Sequence, residues 1–165
     1  MRKYDYSQAR AYFITICTEL KKPYFGRVVD DSVLLSGIGE IVRECWCKIP
    51  AHYPHAAIED YVIMPNHIHG IIRIIKQTDE TVEQFGKANT GSIPAIVRAF
   101  KSVTTKRKNV LVNAVGDSLW QRNYWERIIR NDTEYYNIQQ YILNNPKNWK
   151  TDTLTAPDFS ADELQ

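Results

Sequence analysis

The chain has 165 residues, 44% hydrophobic and 24% charged, with 21 Lys and Arg against 19 Asp and Glu. That length and mixture describe one domain with a buried core and exclude disorder as the default. No apolar stretch reaches the length of a membrane span, and the opening MRKYDYSQAR lacks the apolar segment of a signal peptide, so a cytoplasmic protein is expected.

The net charge of +2 is unevenly spread. The last 15 residues, TDTLTAPDFSADELQ, hold four of the acids and no base, which leaves residues 1–150 with 21 basic against 15 acidic side chains. Residues 1–150 therefore read as the domain and 151–165 as an acidic tail. RAFKSVTTKRK, from Arg98 to Lys108, has five basic residues and no acid. Such a run is either a solvated helix face or a strip for phosphates, whose affinity would fall with salt. Cys17 falls in a strand-like run, while Cys45 and Cys47, two apart on a helix, point to different sides. Reduced thiols are expected, and a metal shared by Cys45 and Cys47 is not.

In chain order, ARAYFITICTEL (Ala9 to Leu20), rich in β-branched and aromatic residues, reads as a first strand. LSGIGEIVRECWCKIP follows as a helix. Ile38, Ile41, Val42, Cys45 and Ile49 recur at helical spacing, Ser36 is the candidate N-cap, and Pro50 follows the end. Ala57 to Met64 and His67 to Ile75 form two more strands joined at Pro65-Asn66. The polar stretch from Lys76 to Gly91 reads as a loop. A second helix starts near Ser92, with Pro94 tolerated in its first turn and Ile93, Ile96, Val97, Phe100 and Val103 as its buried stripe. SLWQRNYWERIIR (Ser118 to Arg130) reads as a fourth strand. Asn131 and Glu134 resemble a capping pair for a last helix to about Asn144, and Pro146 is expected to push Asn145 out of helical dihedrals. This order predicts an α+β, ferredoxin-like split βαβ: an antiparallel sheet with helices on one face and an appended C-terminal helix. That fold serves enzymes and nucleic-acid-binding modules alike.

The chemistry concentrates in YVIMPNHIHG (Tyr61 to Gly70). Residues two apart on a strand share a face, so His67 and His69 aim the same way while Ile68, Gly70, Ile72 and Ile74 make an apolar row opposite. The imidazoles can converge there on a cation or a phosphate; two half-exposed histidines bonded to their neighbours fit the same spacing. In QQYILNNP, Tyr141 and Asn145 are four apart and neighbours on one helical face. An amide oxygen can ligate a hard cation, and the phenol beside it can attack a phosphorus. Ile138, Tyr141 and Ile142 also fit a plain packing stripe. His52 and His55, in a Pro-containing connection, read as surface residues.

MPNHIHG, LWQRNYWERIIRN (Leu119 to Asn131) and YILNNPKNW together resemble the HUH single-tyrosine transposase superfamily, most nearly its REP-associated branch, related to insertion-sequence transposases. The resemblance runs from YFITICTE through Trp149 and leaves the acidic tail unmatched. It implies metal-dependent cleavage and rejoining of single-stranded DNA near a hairpin, through a 5′-phosphotyrosine intermediate. It makes His67 and His69 the metal pair, Asn145 a third polar ligand and Tyr141 the nucleophile. Tyr124 lies in a different segment and is not assigned the attack. Arg127 departs from the pattern: relatives often have histidine there, and an arginine could contact a phosphate instead. Mg2+ or Mn2+ is the implied cofactor; imidazoles alone would favour zinc, while amide and phosphate oxygens pull towards harder ions. Relatives act as monomers or as homodimers that exchange tyrosine helices.

For such a DNA ligand, Arg98, Lys101, Lys106, Arg107 and Lys108 are the candidates for backbone contacts, with Arg2, Lys3 and Arg10 as a basic arm. Trp120, Tyr124 and Trp125 are candidates for stacking on unpaired bases, at least one of them being core instead. A nucleoid-associated place in the cytoplasm follows from the same reading. No GxxxxGK(S/T) loop occurs, which agrees with phosphodiester energy being kept in a tyrosine link rather than drawn from ATP. Two other readings stand beside this one: a non-catalytic nucleic-acid-binding module, and a metal-dependent hydrolase of small phosphoesters indifferent to Tyr141.

Overall fold

The computed structural model describes residues 9–75 and 91–151; the acidic stretch beyond 151, residues 76–90 of the expected loop, and Arg2 and Lys3 lie outside the described residues. The elements are β1 (Ala9–Cys17), β2 (Gly26–Val29), β3 (Ser32–Leu35), α1 (Gly37–Cys47), α2 (Ile49–His52), β4 (Ala56–Met64), β5 (His67–Ile75), α3 (Ile93–Leu111), β6 (Trp125–Ile129) and α4 (Asp132–Asn144). Four strands make one antiparallel sheet in the order β4-β5-β1-β6, the order of a split βαβ fold. A separate β2-β3 hairpin is inserted between β1 and α1. Its two-residue turn, Asp30-Asp31, has φ of 48° and 59°, the left-handed geometry that a tight hairpin needs.

The helix starts follow from their caps. Ser36 Oγ accepts from the Gly39 amide at 3.1 Å and Ser92 Oγ from Ala95 at 3.3 Å. Asn131 Oδ1 accepts from the Glu134 amide at 2.8 Å, and Glu134 reaches back to the Arg130 amide. Pro50 follows the first helix as expected, but α1 already ends at Cys47, before Ile49 of the expected stripe, and Pro50 sits in the first turn of α2. One expected boundary is corrected. Asn145 keeps helical dihedrals (φ −59°, ψ −44°) despite Pro146, its amide bonded to the Ile142 carbonyl. The bias that proline imposes on its predecessor is overridden there.

Strand alternation splits the core in two. Ile14 and Ile16 of β1 and Ile68 and Ile72 of β5 face α1 and α3, where they meet Val42, Trp46, Ile96 and Phe100. Gly70 belongs to that face, and a Cβ on it would lie 2.4 Å from the Trp46 ring. On the other face Ala11, Phe13, Ile71 and Ile129 meet Ile142 of α4. The appended helix thus covers the side of the sheet that α1 and α3 leave open. The last strand is shorter than Ser118 to Arg130: Leu119 and Trp120 enter the core from irregular backbone, joined to β1 through a bridge at Thr18. None of the three cysteines is in a disulfide. No described helix is long and apolar enough to cross a membrane.

Candidate active site

His67 and His69 start β5 on the face that α4 covers, and both are fully buried. The half-exposed alternative is thereby corrected: α4 closes over them. In the β1–β5 register His69 lies opposite Thr15 and His67 opposite Cys17. The two rings stand 4.5 Å apart, centroid to centroid. Phe13 stacks on His69 at 5.4 Å, and Trp149, just past α4, stacks on His67 at 6.2 Å.

Hydrogen bonds decide which ring nitrogen faces α4. Asn66 Nδ2 donates to the Lys21 carbonyl at 3.3 Å, which orients the amide so that Oδ1 faces His67. Oδ1 can only accept, so His67 Nδ1 carries the proton of their 2.7 Å bond. The His67 Nε2 lone pair then faces Asn145 Oδ1, 3.3 Å away. Thr15 Oγ1 holds His69 Nδ1 at 2.7 Å, and His69 Nε2 lies 3.4 Å from the Tyr141 hydroxyl. Tyr141 and Asn145, one turn apart on α4, therefore reach one imidazole each. Tyr141 is half-buried, edge-on to Phe13 at 6.2 Å.

Burial is the main force on both rings. It pushes His67 down to about 3, with the Lys21 charge adding to it and Asn145 pulling the other way. His69 is driven well below 6.5 by burial and then by its neighbour His67. Both are neutral near pH 7, the form that ligates a metal. Among the described residues no three His, Cys, Asp or Glu side chains converge. A cation here would thus be held by two imidazoles and the Asn145 amide oxygen. That donor set fits: two lone-pair atoms, His67 Nε2 and Asn145 Oδ1, are turned on one another, an arrangement that a cation reconciles.

No family profile matches the chain. A Haemophilus influenzae protein of uncharacterized function is 39% identical over 165 residues, covering 93% of this chain and 89% of its own length. A second protein of that organism, provisionally named a REP-associated tyrosine transposase, is 26% identical over 145 residues, 86% of this chain and 73% of its own. The solved structure of a REP-associated tyrosine transposase bound to a REP hairpin shares the fold. Its TM-score is 0.60, with 90% of this chain and 73% of that one covered at 22% identity. Over most of its length the chain is thus similar to a provisionally named REP-associated tyrosine transposase, and it shares the fold of a solved one.

The candidate DNA contacts divide. The β1–β6 register sets Trp125 opposite Thr15 and Arg127 opposite Phe13, so Trp125, Thr15 and His69 form one cross-strand row. Trp125 is 44% exposed. Arg127 pairs with Glu134 at 2.7 Å. Tyr124 packs towards the α1–α3 side and donates to Glu126 at 2.9 Å. Trp120 is corrected from a stacking residue to a core one: it is 4% exposed against Phe25 and Phe100, its indole N–H donating to Thr104.

The basic run is not a continuous phosphate strip. Lys101 donates to three carbonyls, of Gln121, Arg122 and Asn123. Arg107 is paired with Glu44 at 2.8 Å, and Lys108 is 3% exposed and bonded to Asn109. Only Arg98 and Lys106 of the five stand fully exposed, and α3 lies across the sheet from the histidines. Thr15 and Asn66, which orient the imidazoles, were missed by sequence reasoning. Their signal was slight: a lone hydroxyl in an apolar alternating strand, and the amide just before the histidine pair.

Proposed function

We propose that this protein cleaves and rejoins single-stranded DNA beside a hairpin, through a covalent link from Tyr141 to a 5′ phosphate. One observation carries the reading: the Tyr141 hydroxyl lies 3.4 Å from His69 Nε2, with Asn145 against His67 on the same helix face. The hairpin as substrate is supported by the REP hairpin bound to the structural relative. A DNA substrate would place the protein at the nucleoid.

In this reading Tyr141 Oη bonds to phosphorus while the P–O3′ bond breaks. The phenolic proton is lost, and the departing oxygen takes up a proton as a free 3′-hydroxyl. The reverse attack religates. Mg2+ or Mn2+ held by His67, His69 and Asn145 would supply the positive charge that polarises a non-bridging phosphate oxygen. Free tyrosine titrates near ~10, so the phenol must be held in place before it ionises. Phe13 confines its ring, while Thr15 and Asn66 keep both ε nitrogens aimed at α4. Trp125 offers an open indole to an unpaired base in the row of His69, worth roughly 1–3 kcal/mol. Arg98 and Lys106 are left to meet phosphates away from the histidines. Because one chain completes the site, a monomer suffices.

The test is incubation with hairpin-bearing single strands and Mn2+, followed by a denaturing gel. A covalent adduct is expected, lost in Tyr141→Phe while hairpin binding persists. Turnover of small phosphoesters by Tyr141→Phe, or hairpin binding with no adduct from the native protein, would assign another chemistry.

A further inference from the structure

The pairing of β4 with β5 slips by one residue between Ile58 and Tyr61: Ile58 lies opposite Ile72, but Tyr61 lies opposite Gly70. Glu59 and Asp60 thus share the place of one residue opposite Ile71. Strict alternation would send adjacent side chains to opposite faces, and the bulge turns both carboxylates towards α4. Each finds a donor there. Tyr135 Oη donates to Glu59 Oε2 at 2.6 Å, and Gln139 Nε2 donates to Asp60 Oδ2 at 2.8 Å. Tyr135 and Gln139 are one turn apart on the helix that bears Tyr141. Glu59 is itself fixed by Arg73 of β5, which donates from Nε at 2.6 Å and Nη2 at 3.2 Å. Arg73 is only 5% exposed, on the same face as His69, and lies 5.8 Å from the Tyr135 ring.

We infer that the β4 bulge is a latch: Glu59 and Asp60 set the register of α4 on the sheet and so position Tyr141 at His69. The inference rests on the proposed attack by Tyr141. Apolar packing alone would hold α4 loosely, since Ile142 is its one fully buried side chain, and such contacts have no preferred direction. A slip of one residue turns a helix face by about 100°, enough to carry the phenol away from the imidazole. Hydrogen bonds to two carboxylates, at positions one turn apart, forbid that slip. Glu59, Asp60, Tyr135 and Gln139 are therefore positioning residues, none of them touching the reacting atoms.

The test is the double variant Tyr135→Phe with Gln139→Met, which keeps the ring beside Arg73 and the side-chain volumes but removes both donors. Three readouts are expected. Hairpin affinity, and the DNA concentration giving half the maximal adduct rate, stay within about twofold. The adduct rate at saturating DNA falls about tenfold or more, as misplacement of a nucleophile predicts. Amides of α4 exchange with deuterium faster, while those of β1 and β5 do not. A second double variant, Tyr135→Phe with Gln139→Lys, keeps a donor for Asp60 and should recover part of the rate. Unchanged α4 exchange, or faster exchange with an unchanged adduct rate, overturns the latch. If the native protein forms no adduct, the proposed function fails on its own. The exchange comparison then still rules on the latch, and unaltered α4 amides refute it.

Discussion

Two neutral imidazoles sealed under a helix are a pH liability. Each titrates near 6.5 in an unfolded chain and lower in the fold, His67 at about 3. Below pH 6.5 the unfolded chain therefore binds more protons than the folded one. Stability is held above that pH and lost as pH falls below it, for His67 down to about 3, by up to about 1.4 kcal/mol per pH unit for each ring that titrates. Urea midpoints should fall over that window, and His67→Asn should flatten part of the slope. A midpoint indifferent to pH from 6.5 to 4 would mean that the rings are hydrated. The shared direction of His67 and His69 was legible in the sequence, because a strand repeats every two residues. Their burial was not. It depends on α4, far downstream in the chain, closing over that face.

At the scale of elements, local chemistry was the legible part. Ser36, Ser92 and Asn131 cap their helices as their residue types require. What escaped reading were features decided by pairing: the β2-β3 hairpin behind Asp30-Asp31, which lacks the usual Asn-Gly turn, and the bulge in β4. The segment before β6 shows the cost of reading aromatics by composition. Trp120 and Trp125, five residues apart, have opposite fates, one in the core and one open beside the site. Trp125→Ala should weaken binding to single strands by roughly 1–3 kcal/mol and leave the denaturation midpoint nearly unchanged. Trp120→Ala should instead cost about 3–5 kcal/mol of stability. Denaturant titrations beside fluorescence-anisotropy binding check both, and the reverse pattern would exchange their roles.

At the scale of the whole molecule, one sheet serves two layers. The α1–α3 side is a conventional core, and the α4 side is a thin cover over a polar row that runs from β5 through β1 to β6. Tyr141 meets the histidines of its own chain. Mixing Tyr141→Phe with a His67→Ala/His69→Ala protein should therefore restore no adduct, whereas recovery would mean that chains exchange α4. The split βαβ order was legible from element types alone; the meeting of the tyrosine helix with the histidine pair was legible only by resemblance, since no local pattern links residues so far apart. The most direct measurement is to digest the protein trapped on a hairpin substrate and locate the nucleotide-bearing peptide by mass spectrometry. A single phosphodiester link, at Tyr141, is the expected result. A link at Tyr124, or at any residue outside α4, would contradict it.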